Sequence, residues 1–203
     1  MSSIDNNFIG WGKSAILAET QGLQMLAESL GVAFNNAVAC LLYCKGRIVV
    51  AGMGKSGHIG KKIASTLAST GTPALFVHPA EASHGDLGMI DKQDVIIAIS
   101  RSGESSELKD LLKYCKRLSI PIIAITANTE SSLSKAADHL LLLPFLPEAC
   151  PLGLAPTTST TMSLALGDAL AIACLRARDF QPDQFFEFHP GGKLSYIPKK
   201  GFE

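Results

Sequence analysis

The sequence carries no excess charge of either sign: 18 Lys and Arg stand against 18 Asp and Glu in 203 residues. No basic block occurs, so the clustered cations that a nucleic-acid surface uses to neutralise phosphates are missing. Long apolar runs are missing too. The richest, Leu140–Leu143, is closed by Pro144 and Pro147, far short of the roughly 18 residues of a membrane span. Neither nucleic acid nor membrane is therefore expected as a partner. The opening MSSIDNNFIG lacks the basic-then-apolar order of a signal peptide, and none is expected. Cysteine is sparse and odd in number: Cys40, Cys44, Cys115, Cys150 and Cys174. An odd set inside apolar segments reads as reduced thiols and a cytoplasmic protein rather than a disulfide framework. Cys40 and Cys44, four apart on an expected helix, suit small core residues better than half a metal site.

What is present is apolar residue, 47% of the chain, with 18% charged. That composition excludes disorder over most of the length and supports one domain spanning 1–203 with a substantial core. Residues from about 5 to 44 carry helical periodicity, with stripes at Leu23, Leu26, Ala27 and Leu30 and at Phe34, Val38, Leu41 and Leu42. Gly31 breaks them, which predicts two helices packed as a hairpin. From about 46 to 180 short apolar runs alternate with amphipathic segments. The runs are 47–51, 74–78, 94–99, 121–126 and 139–143; the segments are about 57–70, 104–118, 131–138 and 157–178. Runs that are apolar at successive positions predict strands covered on both faces. The expectation is an α/β fold, a five-stranded parallel sheet flanked by helices in a doubly wound, flavodoxin-like arrangement. The tail, about 181–203, reads as loop.

Ligands of such folds bind outside the carboxyl ends of the strands. After the first run comes GMGKSG, in which Gly52, Gly54 and Gly57 spell the dinucleotide pattern G-x-G-x-x-G. Gly54-Lys55-Ser56 resembles the end of a P-loop, but a P-loop needs glycine at position 49, where Val49 stands. A dinucleotide site needs an acidic residue ending the second strand; Glu81 is near, beyond Pro79. After the third run, Ser100, Ser102 and Ser105 surround Gly103 just before a helix. Hydroxyls beside a helix amino terminus suit an anion, whereas a single serine would suit a cap. With Ser56 from the neighbouring loop they make a candidate phosphate cradle. After the fifth run, Thr157–Thr160 either cap the last helix or touch the ligand. Two hydroxyl-rich loops around one glycine turn favour a compact sugar phosphate over an extended dinucleotide.

GMGKSGHIGKK, STLASTGTPALFVHPAEASHGDLGMI, VIIAISRSGESSE, EACPLGLAPTTSTT, LGDALA and FHPGG together resemble the arabinose-5-phosphate isomerases of the sugar isomerase (SIS) superfamily, over about residues 45–193. The resemblance implies interconversion of ribulose 5-phosphate and arabinose 5-phosphate for synthesis of 3-deoxy-manno-octulosonate, a lipopolysaccharide or capsule sugar. It further implies a homotetramer with shared sites and no required cofactor. Lys55, Glu107, Glu148 and His189 match its catalytic positions. Gly71, Thr72, His78 and His84 match ligand-contacting positions, at His78 an inhibitory zinc, while Thr157 and the serines above stand as substrate and phosphate candidates from the residues themselves. Arg101 stands where such enzymes commonly carry Asn, and its side chain is expected to point away from the phosphate. A regulatory pair of CBS modules is not expected in this length. Glu148, between Pro147 and Cys150, is the expected base, its pKa raised by desolvation; His189 is expected from another subunit. Lys55 would neutralise the enediolate, and Glu107 would orient Lys55 or His189 or act as acid–base itself. Without the resemblance, Lys55 and Glu107 suit a surface ion pair, Glu148 a solvated loop carboxylate, His189 a turn residue, and His78 a strand-end histidine bonded to backbone. The other readings kept open are an isomerase of a different sugar phosphate and a non-catalytic sugar-phosphate regulator.

Overall fold

The computed structural model describes residues 7–191. Residues 1–6 and 192–203, which hold the start of the expected helical segment and most of the expected loop tail, lie outside the described residues. Five parallel strands are at the centre: β1 (Ile48–Gly52), β2 (Ala74–Phe76), β3 (Val95–Ile99), β4 (Ile122–Thr126) and β5 (His139–Leu142). Their order is β2-β1-β3-β4-β5, with Ile48 beside both Ala74 and Val95. This is the flavodoxin-like order, and its direction of winding reverses between β1 and β3.

Successive strand residues face opposite sides, and both sides are covered. Ile48, Val50, Ile97, Ile99, Ile123 and Ile125 enter one core cluster. Val49, Ala51, Ile96, Ala98, Ile122 and Ala124 enter the other. All five residues of β1, β3 and β4 are buried, so the unbroken apolar runs record two packed faces rather than one.

The first face is covered by α1 (Phe8–Ser29), α2 (Val32–Tyr43), α3 (Gly54–Ser69) and α7 (Thr158–Ala177). The chain bends by 81° between α1 and α2, and both helices pack on α7. By length and composition α7 is apolar enough to cross a bilayer, although half of it is buried inside this fold. The second face carries α4 (Pro79–Ala82), a 3₁₀ turn at Asp86–Met89, α5 (Leu108–Leu118) and α6 (Ser132–Ala136).

Three boundaries differ from expectation. The helix after β3 starts at Leu108 rather than 104, because Gly103, at φ +69°, turns the chain first. The first helix after β1 starts earlier, at Gly54. The tail is not all loop: α8 covers Pro182–Phe188. Its start was legible, since Gln181 and Gln184 exchange the reciprocal bonds of a capping box and Pro182 supplies a preset first turn. The five cysteines are free. Burial, then the neighbouring Cys44, pushes the Cys40 thiol up to about 11, which fits a packed thiol better than a metal thiolate.

Candidate active site

The reversal between β1 and β3 opens a crevice at the carboxyl ends of those strands, where ligands settle in folds of this order. The loop after β1 is drawn tight by Gly57: a Cβ there would lie 2.6 Å from the carbonyl oxygen of Gly52. That closeness sets α3 directly against the end of β1. Lys55 and Ser56 fall in its first turn, Lys55 exposed and Ser56 half-buried.

The loop after β3 is organised by its own hydroxyls. Ser100, 4% exposed, shares a hydrogen bond of 2.9 Å with Ser105 Oγ and accepts the Gly103 N–H at 3.1 Å. Ser102 Oγ accepts the Glu104 N–H. Outside this ring, Glu104 takes both the Ser132 N–H (2.6 Å) and its hydroxyl (2.8 Å), fastening the loop to the start of α6. Gly103 must lack a side chain because a Cβ would collide with Ser131. The serine ring is thus preformed just ahead of α5, whose first two N–H groups, at Leu108 and Lys109, are taken by the Ser105 and Ser106 carbonyls. Glu107 occupies the position just before that helix, exposed and without a side-chain bond to its first turn, and accepts from Ser106 at 3.0 Å. Its pKa is held below the usual carboxylate value by its own backbone N–H, then Ser106, with a contribution from the charge of nearby His78.

Glu148 contradicts two expectations. It is neither a solvated loop carboxylate nor one with a raised pKa. Its side chain is 2% exposed, and donors surround it. Oε2 accepts the Thr157 N–H (2.8 Å), the Ser159 N–H (3.1 Å) and the Thr157 hydroxyl (3.3 Å). Oε1 accepts the Ser159 hydroxyl at 2.5 Å and faces Arg101 Nε at 3.2 Å. Burial pushes its pKa up, but the Ser159 hydroxyl, the two N–H groups and Arg101 together bring it below the usual value. Desolvation loses because the carboxylate occupies the free N–H groups at the start of α7. The second surprise is Arg101, which turns onto Glu148. Ser159, 5% exposed, belongs to the hydroxyl run Thr157–Thr160 picked out in the sequence, and it and Thr157 both turn their hydroxyls onto the acid.

Other expected site residues are not brought together. Gly71 and Thr72 follow the end of α3 and precede β2, at the amino-terminal edge of the sheet, the opposite side from the serine loop. Gly71 has φ +87° and packs on the Phe180 ring; Thr72 is 1% exposed. His189 lies on that same side. It ends α8, stacks on Phe185 with centroids 4.0 Å apart, and Phe188 stacks on Phe180. The intervening helix α7, 20 residues long, separates the two edges by about 30 Å. His78 and His84 flank α4 near the end of β2, His84 exposed and His78 half-buried with Nδ1 lacking a partner. Among the described residues no three His, Cys, Asp or Glu side chains converge as a metal site. A lone His78 does not match the usual four-ligand zinc set. Nor do the ion pairs of the described residues join Lys55 to Glu107.

The SIS domain family model matches residues 41–173, which include the serine loop, Glu148 and most of α7. The chain is 55% identical over 183 residues to a protein named arabinose 5-phosphate isomerase KdsD from Escherichia coli K12, covering 90% of this chain and 56% of the relative. It is 55% identical over 188 residues to the protein of that name from Pseudomonas aeruginosa, covering 93% and 58%. The chain thus spans somewhat over half the length of these relatives. Among solved structures, the c3406 protein of Escherichia coli CFT073 in complex with arabinose 5-phosphate superposes with a TM-score of 0.88 at 39% identity, covering 93% of this chain and all of that one.

Proposed function

The chain belongs to the SIS domain family, and on that footing we propose that it interconverts D-ribulose 5-phosphate and D-arabinose 5-phosphate. The observation that carries the reading is the meeting of a preformed serine loop with a buried, ionised carboxylate at the β1/β3 crevice. The 55% identity to proteins named for this reaction supports the choice of sugar.

In the aldose-to-ketose direction a base removes the proton on C2, leaving an enediolate across C1 and C2. A proton returns to C1, and the hydroxyl proton passes from O2 to O1, so no net redox equivalent is exchanged. Ser56, Ser100, Ser102 and Ser105 hold the phosphate. Glu148 is the base. Its lowered pKa makes it a weaker base than a merely desolvated carboxylate, but it is charged at neutral pH and needs no prior deprotonation. Lys55 neutralises the developing oxyanion, and Glu107 supplies the second carboxylate. Thr157 and His84 contact the sugar. No redox cofactor is required. The product supplies 3-deoxy-manno-octulosonate synthesis in the cytoplasm.

We further infer a homotetramer with shared sites, because His189 and Gly71 lie at the far edge and reach a sugar only on another copy. Incubating the protein with ribulose 5-phosphate and following anomeric protons by NMR should yield arabinose 5-phosphate. A panel of other sugar phosphates tests the substrate: turnover of another sugar alone, or binding without turnover, overturns this assignment. Sharing has its own test. Glu148→Gln and His189→Ala chains should each be inactive, and mixed oligomers should regain about a quarter of the activity by random assortment. No recovery in verified mixed oligomers places both residues in one chain's site.

A further inference from the structure

We propose that Arg101 is a positioning residue for the isomerisation: its guanidinium clamps the Glu148 carboxylate against the start of α7, joining the loop after β3 to the loop after β5. The inference rests on Glu148 being the reacting carboxylate of the proposed function, and it assigns a task to a side chain placed between two serines of the phosphate cradle.

Three sets of contacts carry it. The first fixes the base of the side chain: the Arg101 carbonyl accepts the Ala127 N–H at 3.0 Å and the Thr126 hydroxyl at 3.1 Å. The second is the ion pair, Nε to Glu148 Oε1 at 3.2 Å. The third reaches the chain just before Glu148: Nη2 donates to the Leu146 carbonyl at 3.3 Å, and the guanidinium lies 6.0 Å from the Phe145 ring centroid. One residue, through its carbonyl and its side chain, therefore spans from the end of β4 to the approach of Glu148.

The asymmetry of exposure distinguishes this pair from an ordinary surface bridge. Arg101 is 41% exposed at its side chain and Glu148 only 2%. Exposed pairs contribute little because water screens both charges, whereas removing the partner of a buried charge leaves that charge uncompensated. The groups facing Glu148 are Arg101 from the loop after β3 and the neutral Thr157 and Ser159 at the start of α7; the first turn of α7 holds no acid. Arg101 is the cation acting on it. Thr157 and Ser159 supply hydrogen bonds, and Arg101 supplies the charge.

The sign follows directly. A carboxylate held below its unfolded pKa contributes stability that is present above the unfolded value and lost as pH falls through the folded one. Without Arg101, Glu148 should take up its proton at higher pH. The test is Arg101→Met in the full chain, with Arg101→Lys as the charge-conserving control. Carbon-13 NMR of the glutamate carboxyls, with Glu148→Gln identifying the signal, should show the Glu148 titration moving up in Arg101→Met and largely restored in Arg101→Lys. The acid limb of kcat/KM should move the same way while KM stays within about twofold. An unmoved Glu148 titration overturns the clamp, whether or not activity changes. A steep rise in KM with an unmoved titration makes Arg101 a substrate contact instead. The NMR reading needs no turnover, so failure of the clamp is separable from failure of the isomerase assignment. If Arg101→Met does not fold, Arg101→Asn gives the same reading, since the side chain lies in a loop and is partly exposed.

Discussion

Glu148→Gln is expected to lower turnover by roughly 10²- to 10⁴-fold, the usual worth of a general base, while ribulose 5-phosphate still binds. The substitution keeps the shape of the side chain and removes its charge. The glutamine carbonyl can still accept the Thr157 and Ser159 N–H groups that now meet Oε2. Its amide nitrogen then faces Arg101 Nε, a donor against a donor, where Oε1 now lies at 3.2 Å. The fold pays about 1–3 kcal/mol for that mismatch, which a melting curve will register without unfolding the protein at room temperature. Phosphate binding is spared because the serine ring is held by Gly103, Glu104 and the start of α6, not by Glu148. Binding measured by calorimetry and turnover by NMR should separate cleanly. Unchanged turnover reduces Glu148 to a helix cap and passes the base role to Glu107.

The second large effect is expected at Gly57→Ala, where one methyl group should damage both stability and activity. Its Cβ would lie 2.6 Å from the Gly52 carbonyl oxygen and 3.3 Å from the carbonyl carbon, both backbone atoms. Gly52 cannot yield easily, since it ends the β1/β3 ladder opposite Ile99. The start of α3 must therefore move outward. That helix is also packed closely at Gly60, where a Cβ would meet Phe76 at 3.1 Å and Val50 at 3.3 Å. Overpacking of this kind costs about 1–3 kcal/mol, and each kcal/mol lowers Tm by roughly 2–4 °C at this chain length. The activity loss should be larger than the stability loss suggests. Lys55 and Ser56 ride on the displaced turn, and a shift of about 1 Å costs up to roughly 100-fold. Gly12→Ala is the control: nothing lies within 4 Å of its Cβ, and it sits inside α1. It should leave activity and Tm unchanged or raise Tm slightly. Equal behaviour of the two variants sinks the argument from close approach.

The sheet was readable because its evidence is local. Ile-Ile-Ala-Ile at Ile122–Ile125 is apolar at every step, and the only strand that tolerates this has two covered faces. The glycine turn after β1 and the hydroxyl run after β3 were readable for the same reason, since each is one continuous stretch. The start of α5 was misjudged because Ser and Glu residues at 104–107 also suit a first helical turn. Only the bonds from Glu104 to Ser132 and the position of Gly103 against Ser131 hold that stretch out of the helix. Both partners come from another segment.

Sequence by itself determined the five strands, the two hydroxyl-rich loops, and the identities of the acids and the lysine available there, because each is written in contiguous residues. Tertiary structure alone decided their electrical state and their company. Glu148 reads in sequence as an acid between prolines, for which burial predicts a raised pKa; folding delivers Ser159 from 11 residues away and Arg101 from another loop, and the pKa falls instead. Arg101 reads as a departure that points away, and folding turns it onto Glu148. Gly71, Thr72 and His189 read as members of one site, and the length of α3 sets the first two, and that of α7 the third, on the other edge. A pKa is a sum over neighbours in space, and a long helix separates its ends however close in function they are, so neither is visible along the chain.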